Sequence, residues 1–104
     1  MLDKSIEMLN LGFLKKLEAL SFIDAVYLYG SRARGDAKER SDIDLAIEAP
    51  KATQENWNQI HAIIENADTL LKIDCVDLGN VKSEKFLENI LRDKVILYQR
   101  KHST

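Results

Sequence analysis

Hydrophobic and polar residues change their spacing several times along the chain, and each change marks a predicted element. Apolar side chains recur every three or four positions in residues 3–20 and 53–71, which is typical of amphipathic helices. Residues 41–50 instead alternate between apolar and polar or small side chains, as a strand does. The full prediction is helix 3–20, strand 25–30, strand 41–50, helix 53–71, strand 72–78, helix 83–92 and strand 95–99.

This element order, α-β-β-α-β-α-β, predicts an α/β (α+β) fold with a small mixed β-sheet of about four strands and helices packed on it. We expect one domain over residues 1–104, with 101–104 as a frayed tail. The strand at 25–30 is apolar throughout, so we expect it to be buried on both faces. The inward side of the last helix is predicted to carry Phe86, Leu87, Ile90 and Leu91.

Composition narrows the class of protein without fixing its function. The chain has 104 residues, of which 45% are hydrophobic and 31% are charged, as in ordinary soluble globular domains. No apolar run is long enough for a membrane span, and Cys75 is the only cysteine, which fits a reducing cytoplasm. With 15 Lys and Arg against 17 Asp and Glu, the net charge of −2 gives no general drive toward direct nucleic-acid binding.

Asp42 and Asp44 are the first candidate residues for a functional site. Residues two apart on a strand point to the same face, so the two carboxylates can converge on one small volume. Such a pair of anions must be neutralised by protonation, a basic partner or a divalent cation, and hard oxygen ligands beside a phosphate favour Mg²⁺. The competing interpretation is a solvated strand face, because many exposed strands carry Asp-x-Asp.

Gly30 and Ser31 follow the first predicted strand. Glycine allows close backbone approach, and a serine at a strand-to-helix turn can offer its hydroxyl and N–H to an anion. An ordinary turn with Ser31 as helix N-cap explains the pair equally well. The next residues form a basic loop, whose charge alone would indicate only a solvated surface. It sets four basic residues against two acidic ones, namely Arg32, Arg34, Lys38 and Arg40 against Asp36 and Glu39.

A third carboxylate can come from the strand predicted at 72–78. Asp74 and Asp77 are three apart, so they face opposite sides of a strand and only one of them can join Asp42 and Asp44. Asp77 lies at the strand end, where helix or turn capping is plausible. Asp74 is therefore the favoured site residue.

Together these features resemble the nucleotidyltransferase superfamily of DNA polymerase β. The resemblance rests on Gly30–Ser31, a spacing of ten residues, an Asp-x-Asp strand and a later strand aspartate. The stretch "GSRARGDAKERSDIDL" is most similar to the minimal nucleotidyltransferases, single-domain members of about this length. The likeness covers nearly the whole chain in element order, although the motif region carries most of the identity.

The resemblance implies a role for each motif residue. Ser31 would help to hold the phosphates of the nucleotide, Asp42 and Asp44 would bind two Mg²⁺ ions, and Asp74 would join them and activate the attacking hydroxyl. Arg32 and Arg34 become candidates to contact the triphosphate, and the sequence does not decide between them, Lys38 and Arg40. The implied catalytic and metal-binding set is Asp42, Asp44 and Asp74, and the implied nucleotide-binding set is Gly30, Ser31, Arg32 and Arg34.

The resemblance also implies a substrate and a partner. Minimal nucleotidyltransferases are commonly paired with a HEPN-type toxin, an RNA-cleaving helical protein, and act as its antitoxin by moving AMP from ATP to a tyrosine hydroxyl. Two alternatives remain: an antitoxin that works only by binding with a degenerate site, and a nucleotidyltransferase that modifies a small molecule or an RNA end. The acidic balance disfavours RNA, and an intact set of aspartates disfavours the degenerate site.

Overall fold

The computed structural model describes residues 12–100, which form four helices, a short 3₁₀ turn and four strands. In chain order they are α1 (Gly12–Glu18), β1 (Ala25–Tyr29), α2 (Ser31–Arg34), β2 (Ile43–Glu48), α3 (Gln54–Glu65), β3 (Ile73–Asp77), the 3₁₀ turn (Leu78–Asn80), α4 (Glu84–Asp93) and β4 (Val95–Gln99). The predicted segments 3–11 and 101–104 lie outside the described residues.

The four strands form one mixed sheet in the order β3-β2-β1-β4. β1 pairs antiparallel with both β2 and β4, whereas β2 and β3 are parallel. The parallel pair is connected through α3, as parallel strands require a crossover. The predicted fold class, a small mixed sheet of about four strands with helices packed on it, is confirmed.

Apolar side chains separate onto the two faces of the sheet. One face packs against α1 and α3, with Phe13, Leu17 and Ile60 buried against Leu45 and its neighbours. The opposite face packs against α4 through Ile90 and a smaller cluster that includes Tyr27, Tyr29 and Ala46. All five residues of β1 are buried, as its continuous apolar sequence predicts. The second face carries the candidate functional residues, so we call it the α4 face.

Two element boundaries differ from the prediction. The strand predicted at 41–50 begins only at Ile43, where the ladder with β3 starts at Ile73, so Asp42 directly precedes the strand. The helix predicted at 53–71 ends at Glu65 because Asn66 follows it and returns its side-chain amide to the Ala62 carbonyl at 2.8 Å. Local capping overrides the apolar spacing that continues beyond residue 65.

The prediction that four residues of α4 face inward is wrong for Phe86 and Leu91. Their side chains are 37% and 46% exposed, whereas Ile90 is fully buried. A helix lying across so small a sheet buries only a narrow stripe, and Leu91 is about 100° around the helix from Ile90. Phe86 contacts the ring of Tyr29 but keeps part of its own ring open to solvent. Among residues 12–100, no helix is long and apolar enough to cross a membrane.

Candidate active site

Asp44 and Asp74 face each other across the parallel ladder of β2 and β3. Their backbones are in register, and Tyr29 of β1 is in register with Asp44 on its other side. Neighbouring strands are about 4.8 Å apart, so the three side chains form one row across the α4 face. The structure therefore brings together the two strand carboxylates that the sequence analysis selected.

Asp42 adds a third negative charge at the start of β2. The pKa of Asp44 is raised, first by burial and then by the charges of Asp74 and Asp42. Arg34 and Lys72 act in the opposite direction, and Lys72 forms an ion pair with Asp74 at 3.5 Å. We call Asp42, Asp44 and Asp74 the carboxylate cluster, a group of like charges that its basic neighbours offset only in part.

Gly30 fits against this cluster in a conformation that other residues rarely adopt. Its φ is +75° and its ψ is −156°, a region essentially restricted to glycine. A Cβ at this position would collide with Oδ2 of Asp44 and lie 3.3 Å from its Cγ. The absence of a side chain at Gly30 thus lets the turn after β1 pass directly beside the Asp44 carboxylate.

Ser31 begins α2 immediately after this turn. Its carbonyl accepts hydrogen bonds from the N–H groups of Gly35 and Asp36, at 3.0 and 3.1 Å, which closes the short helix into a compact turn. Gly35, with a φ of +86°, ends the helix. Because Ser31 follows Gly30 directly, it belongs to the turn that passes beside the Asp44 carboxylate.

Arg32, which the resemblance makes a candidate to contact the triphosphate, is buried against the loop that leads into Asp42. It is only 2% exposed, and its guanidinium donates to the carbonyls of Ser41 at 2.8 Å, Glu39 at 3.1 Å and Lys38 at 3.5 Å. These bonds tie α2 to the loop that leads into Asp42. The geometry favours Arg32 as a residue that positions this loop, since a buried and hydrogen-bonded guanidinium is poorly placed to meet a triphosphate.

Arg34 is partly exposed and stays a candidate phosphate ligand. Its side chain is 44% exposed and forms ion pairs with Asp36 at 3.2 Å and with Asp93 at 3.0 Å. Asp93, at the end of α4, also pairs with Arg92, and these two arginines hold its pKa near 2, well below the ordinary value. Held by these ion pairs, Arg34 is close enough to Asp44 that its positive charge lowers the pKa of the Asp44 carboxylate.

Tyr29 is a site residue that the sequence reasoning missed. Burial raises the pKa of its phenol to about 12, and the charges of Asp44 and Asp74 contribute to the rise. Its ring meets Phe86 edge-to-face, with the centroids 5.9 Å apart. Strand parity could have found it, because Tyr29 directly precedes Gly30 and its antiparallel register places it beside Asp44.

Asp77 and Cys75 do not belong to the cluster. The Asp77 carboxylate accepts from the Gly79 N–H at 3.2 Å and caps the 3₁₀ turn, as its place at the strand end suggested. Cys75 is on the same side of β3 as Asp77, and burial raises the pKa of its thiol to about 12. A thiol with that pKa is protonated at neutral pH and is a poor nucleophile.

The donor chemistry of the carboxylate cluster fits a hard divalent cation such as Mg²⁺, which takes oxygen ligands. Within residues 12–100, however, no three His, Cys, Asp or Glu side chains are arranged so that they could hold an ion as they stand. All three carboxylates are partly buried, and a change of rotamer would be needed to bring their oxygens onto one ion. Only the side chains of Asp42, Asp44 and Asp74 would have to move, because the strand register already holds Asp44 and Asp74 side by side and Asp42 is two residues before Asp44.

Comparison with known proteins finds one matching family model and several solved structures with a similar fold. The family model described as polymerase β, nucleotidyltransferase matches residues 13–103. Among curated proteins, none matches the chain. A crystal structure of a toxin-antitoxin with AMP-PNP contains a chain with 24% identity and a TM-score of 0.65, and the match covers 89% of this chain and 76% of that one.

Two further solved structures share the fold. One is the MntA-HepT toxin-antitoxin, at 20% identity and a TM-score of 0.55, with 86% of this chain and 67% of that chain covered. The other is the tri-AMPylated HEPN toxin of Shewanella oneidensis in complex with MNT antitoxin, at 21% identity and a TM-score of 0.56. That match covers 86% of this chain and 71% of that one.

Gly30→Ala should damage the site more than the same change at Gly35. Both glycines have positive φ, but only the Cβ at position 30 would meet another atom within 4 Å. We expect Gly35→Ala to cost about 1 kcal/mol of backbone strain and Gly30→Ala about 3 kcal/mol or more. Urea unfolding of both variants measures this difference, and equal losses would contradict the close approach of Gly30 to Asp44.

Arg32→Ala should destabilise the protein by about 3 kcal/mol, because it removes a buried side chain together with its charged hydrogen bonds to the carbonyls of Glu39 and Ser41. Arg34→Ala, in the same short helix, is the matched control. It removes only partly exposed ion pairs, so its effect on the free energy of unfolding should stay below about 1 kcal/mol. Similar unfolding free energies for the two variants would show that Arg32 does not hold the loop.

The double change Asp42→Asn and Asp44→Asn should leave the fold intact. Without divalent cations we expect a gain in stability of less than about 1 kcal/mol at pH 7, since repulsion is relieved but solvent already screens it in part. Mg²⁺ should raise the melting temperature of the unsubstituted protein and not that of the variant. Asp77→Asn, on the opposite side of β3, is the control that should keep the Mg²⁺ response; an equal response in the double variant would argue against the cluster as the cation site.

Proposed function

This chain belongs to the polymerase β nucleotidyltransferase family, and from that premise we propose that it is a Mg²⁺-dependent protein adenylyltransferase. In this proposal it transfers AMP from ATP to a tyrosine hydroxyl of a HEPN-type ribonuclease toxin and so acts as the antitoxin. The observation that carries the proposal is the register of Asp44 with Asp74, beside the turn at Gly30 and Ser31.

The triphosphate would lie on the β1 side of the carboxylate cluster. There the turn at Gly30 leaves room for a ligand's phosphate to approach the backbone, and Ser31 can donate its hydroxyl and N–H. Arg34 stands at the end of the same short helix with 44% of its side chain exposed. It would supply a positive charge to the phosphates while Asp93 keeps its guanidinium oriented.

The acceptor hydroxyl would be activated on the β3 side. A tyrosine phenol has a pKa near 10, so at neutral pH it needs a base to become an effective nucleophile. In our proposal the Asp74 carboxylate takes the phenolic proton while the phenolic oxygen bonds to the α-phosphorus and the bond from that phosphorus to the bridging oxygen of pyrophosphate breaks. Mg²⁺, held by Asp42, Asp44 and Asp74, would stabilise the charge on the attacking and leaving oxygens.

Several observations support the partner and the nucleotide. Chains of the same fold are found in structures of a toxin-antitoxin with AMP-PNP and of a tri-AMPylated HEPN toxin with MNT antitoxin. An added AMP group brings negative charge, which would repel RNA phosphates from a toxin's substrate site. The proposal also places the protein in the cytoplasm, where ATP is available, and the lone Cys75 fits that reducing setting.

The test is intact mass spectrometry of the HEPN toxin after incubation with this protein, ATP and Mg²⁺. We expect a mass gain of one or more AMP units, located on tyrosine by fragmentation, and no gain with Asp44→Asn or with EDTA. Glu65→Gln should retain transfer, because this exposed carboxylate lies at the end of α3, on the face of the sheet opposite the cluster.

Other outcomes separate the alternatives. A toxin that is silenced without any gain in mass would favour an antitoxin that works only by binding. Transfer of nucleotide to a small molecule or to an RNA end, with the toxin unmodified, would favour the other nucleotidyltransferase activity. Modification that persists in the Asp44→Asn variant would contradict the proposed role of the carboxylate cluster.

A further inference from the structure

A recess of about 380 Å³ lies between the end of β3 and the first turn of α4. Its apolar lining comes from Val76, Val81 and Phe86, and its polar lining includes Asp77, Asn80 and Lys82. This volume is at the lower end of the range for ligand pockets. We call it the β3–α4 recess.

Two residues of the recess lining connect it to the row formed by Tyr29, Asp44 and Asp74. Val76 is two residues after Asp74 on β3, so its side chain projects from the same face about 6–7 Å further along the strand. Phe86 forms the other connection, because its ring contacts Tyr29, which is in register with Asp44. A group held in the recess would therefore lie next to Asp74.

The order of the strands indicates whether the recess lies on the side of the nucleotide or on the side of the acceptor. Ser31 and Arg34 follow β1, whereas Asp74 is on β3, and β2 with Asp44 lies between them. In-line displacement places the attacking and leaving oxygens on opposite sides of the phosphorus. If pyrophosphate leaves toward Ser31 and Arg34, the acceptor must approach from the side of Asp74, where the recess is.

We propose that the β3–α4 recess binds the aromatic acceptor segment of the partner protein and directs its tyrosine hydroxyl toward Asp74. This inference rests on the proposed function. Phe86 is 37% exposed and already presents its ring edge-to-face to Tyr29, so it can add a second aromatic contact with a phenol ring. Val76 and Val81 supply an apolar floor, while Asn80 and Lys82 can bond the backbone of the segment.

The experiment measures initial rates of AMP transfer to the full-length HEPN toxin, with toxin and ATP concentrations varied separately. Phe86→Ala should raise the KM for the toxin about tenfold and leave the KM for ATP unchanged. Leu91→Ala is the matched control, since Leu91 is in the same helix, is 46% exposed and does not line the recess. It should leave both KM values unchanged.

A second variant keeps the test decisive if Phe86→Ala loses structure. Asn80→Trp changes an exposed residue of the recess lining and fills the space, so it should block toxin modification while ATP binding by calorimetry stays normal. A raised KM for ATP in either variant would assign the recess to the nucleotide and overturn the inference. Unchanged kinetics in both variants would overturn it too, with the proposed function intact. Failure of the unsubstituted protein to modify the toxin would instead overturn the proposed function and this inference with it.

Discussion

The carboxylates of Asp44 and Asp74 repel each other, yet the parallel ladder between β2 and β3 holds their backbones in register. The ladder can do so because the other face of β2 is apolar: Ile43, Leu45 and Ile47 are buried against α1 and α3. A slip of one residue would move those side chains out of the core and turn Asp44 into it. Burial on one face thus fixes a cluster of like charges on the other.

The rest of the site consists of segments whose backbone passes close to this cluster. Gly30 lets the chain pass beside Asp44, and Arg32 fastens the loop that returns to Asp42. α4 then closes the same face, since Phe86 meets Tyr29 near its start and Asp93 pairs with Arg34 at its end. One helix therefore contacts both the segment proposed to hold phosphate and the recess proposed to receive the acceptor.

Much of this arrangement could be predicted from the sequence because strand parity is a strict geometric rule. The period of two places Asp44 opposite the apolar face of β2 and puts Asp74 and Asp77 on different sides of β3. Strand parity does not predict which groups a long side chain will contact or whether it will be buried. Arg32 and Arg34 are two residues apart in one short basic segment, and only the folded loop distinguishes the buried one from the exposed one.

The helix α4 shows the same limit for apolar residues. Its spacing correctly predicts a helix and the burial of Ile90, but the number of residues it can bury depends on the width of the sheet beneath it. Phe86 is left partly exposed at the edge of that sheet, beside a recess that neither periodicity nor composition encodes. Positions of this kind come from the packing of elements that are distant in the chain.

The charges on the α4 face are not balanced within the described residues, and the imbalance is centred on the carboxylate cluster. A sequence selected only for stability would gain by neutralising one member of the carboxylate cluster, because burial and repulsion both raise the pKa of Asp44. Lys72 and Arg34 relieve the repulsion only in part, and both are also exposed enough to exchange partners. This incomplete compensation is consistent with the proposed function, in which a cation would offset the carboxylates and the phosphates would contact Arg34.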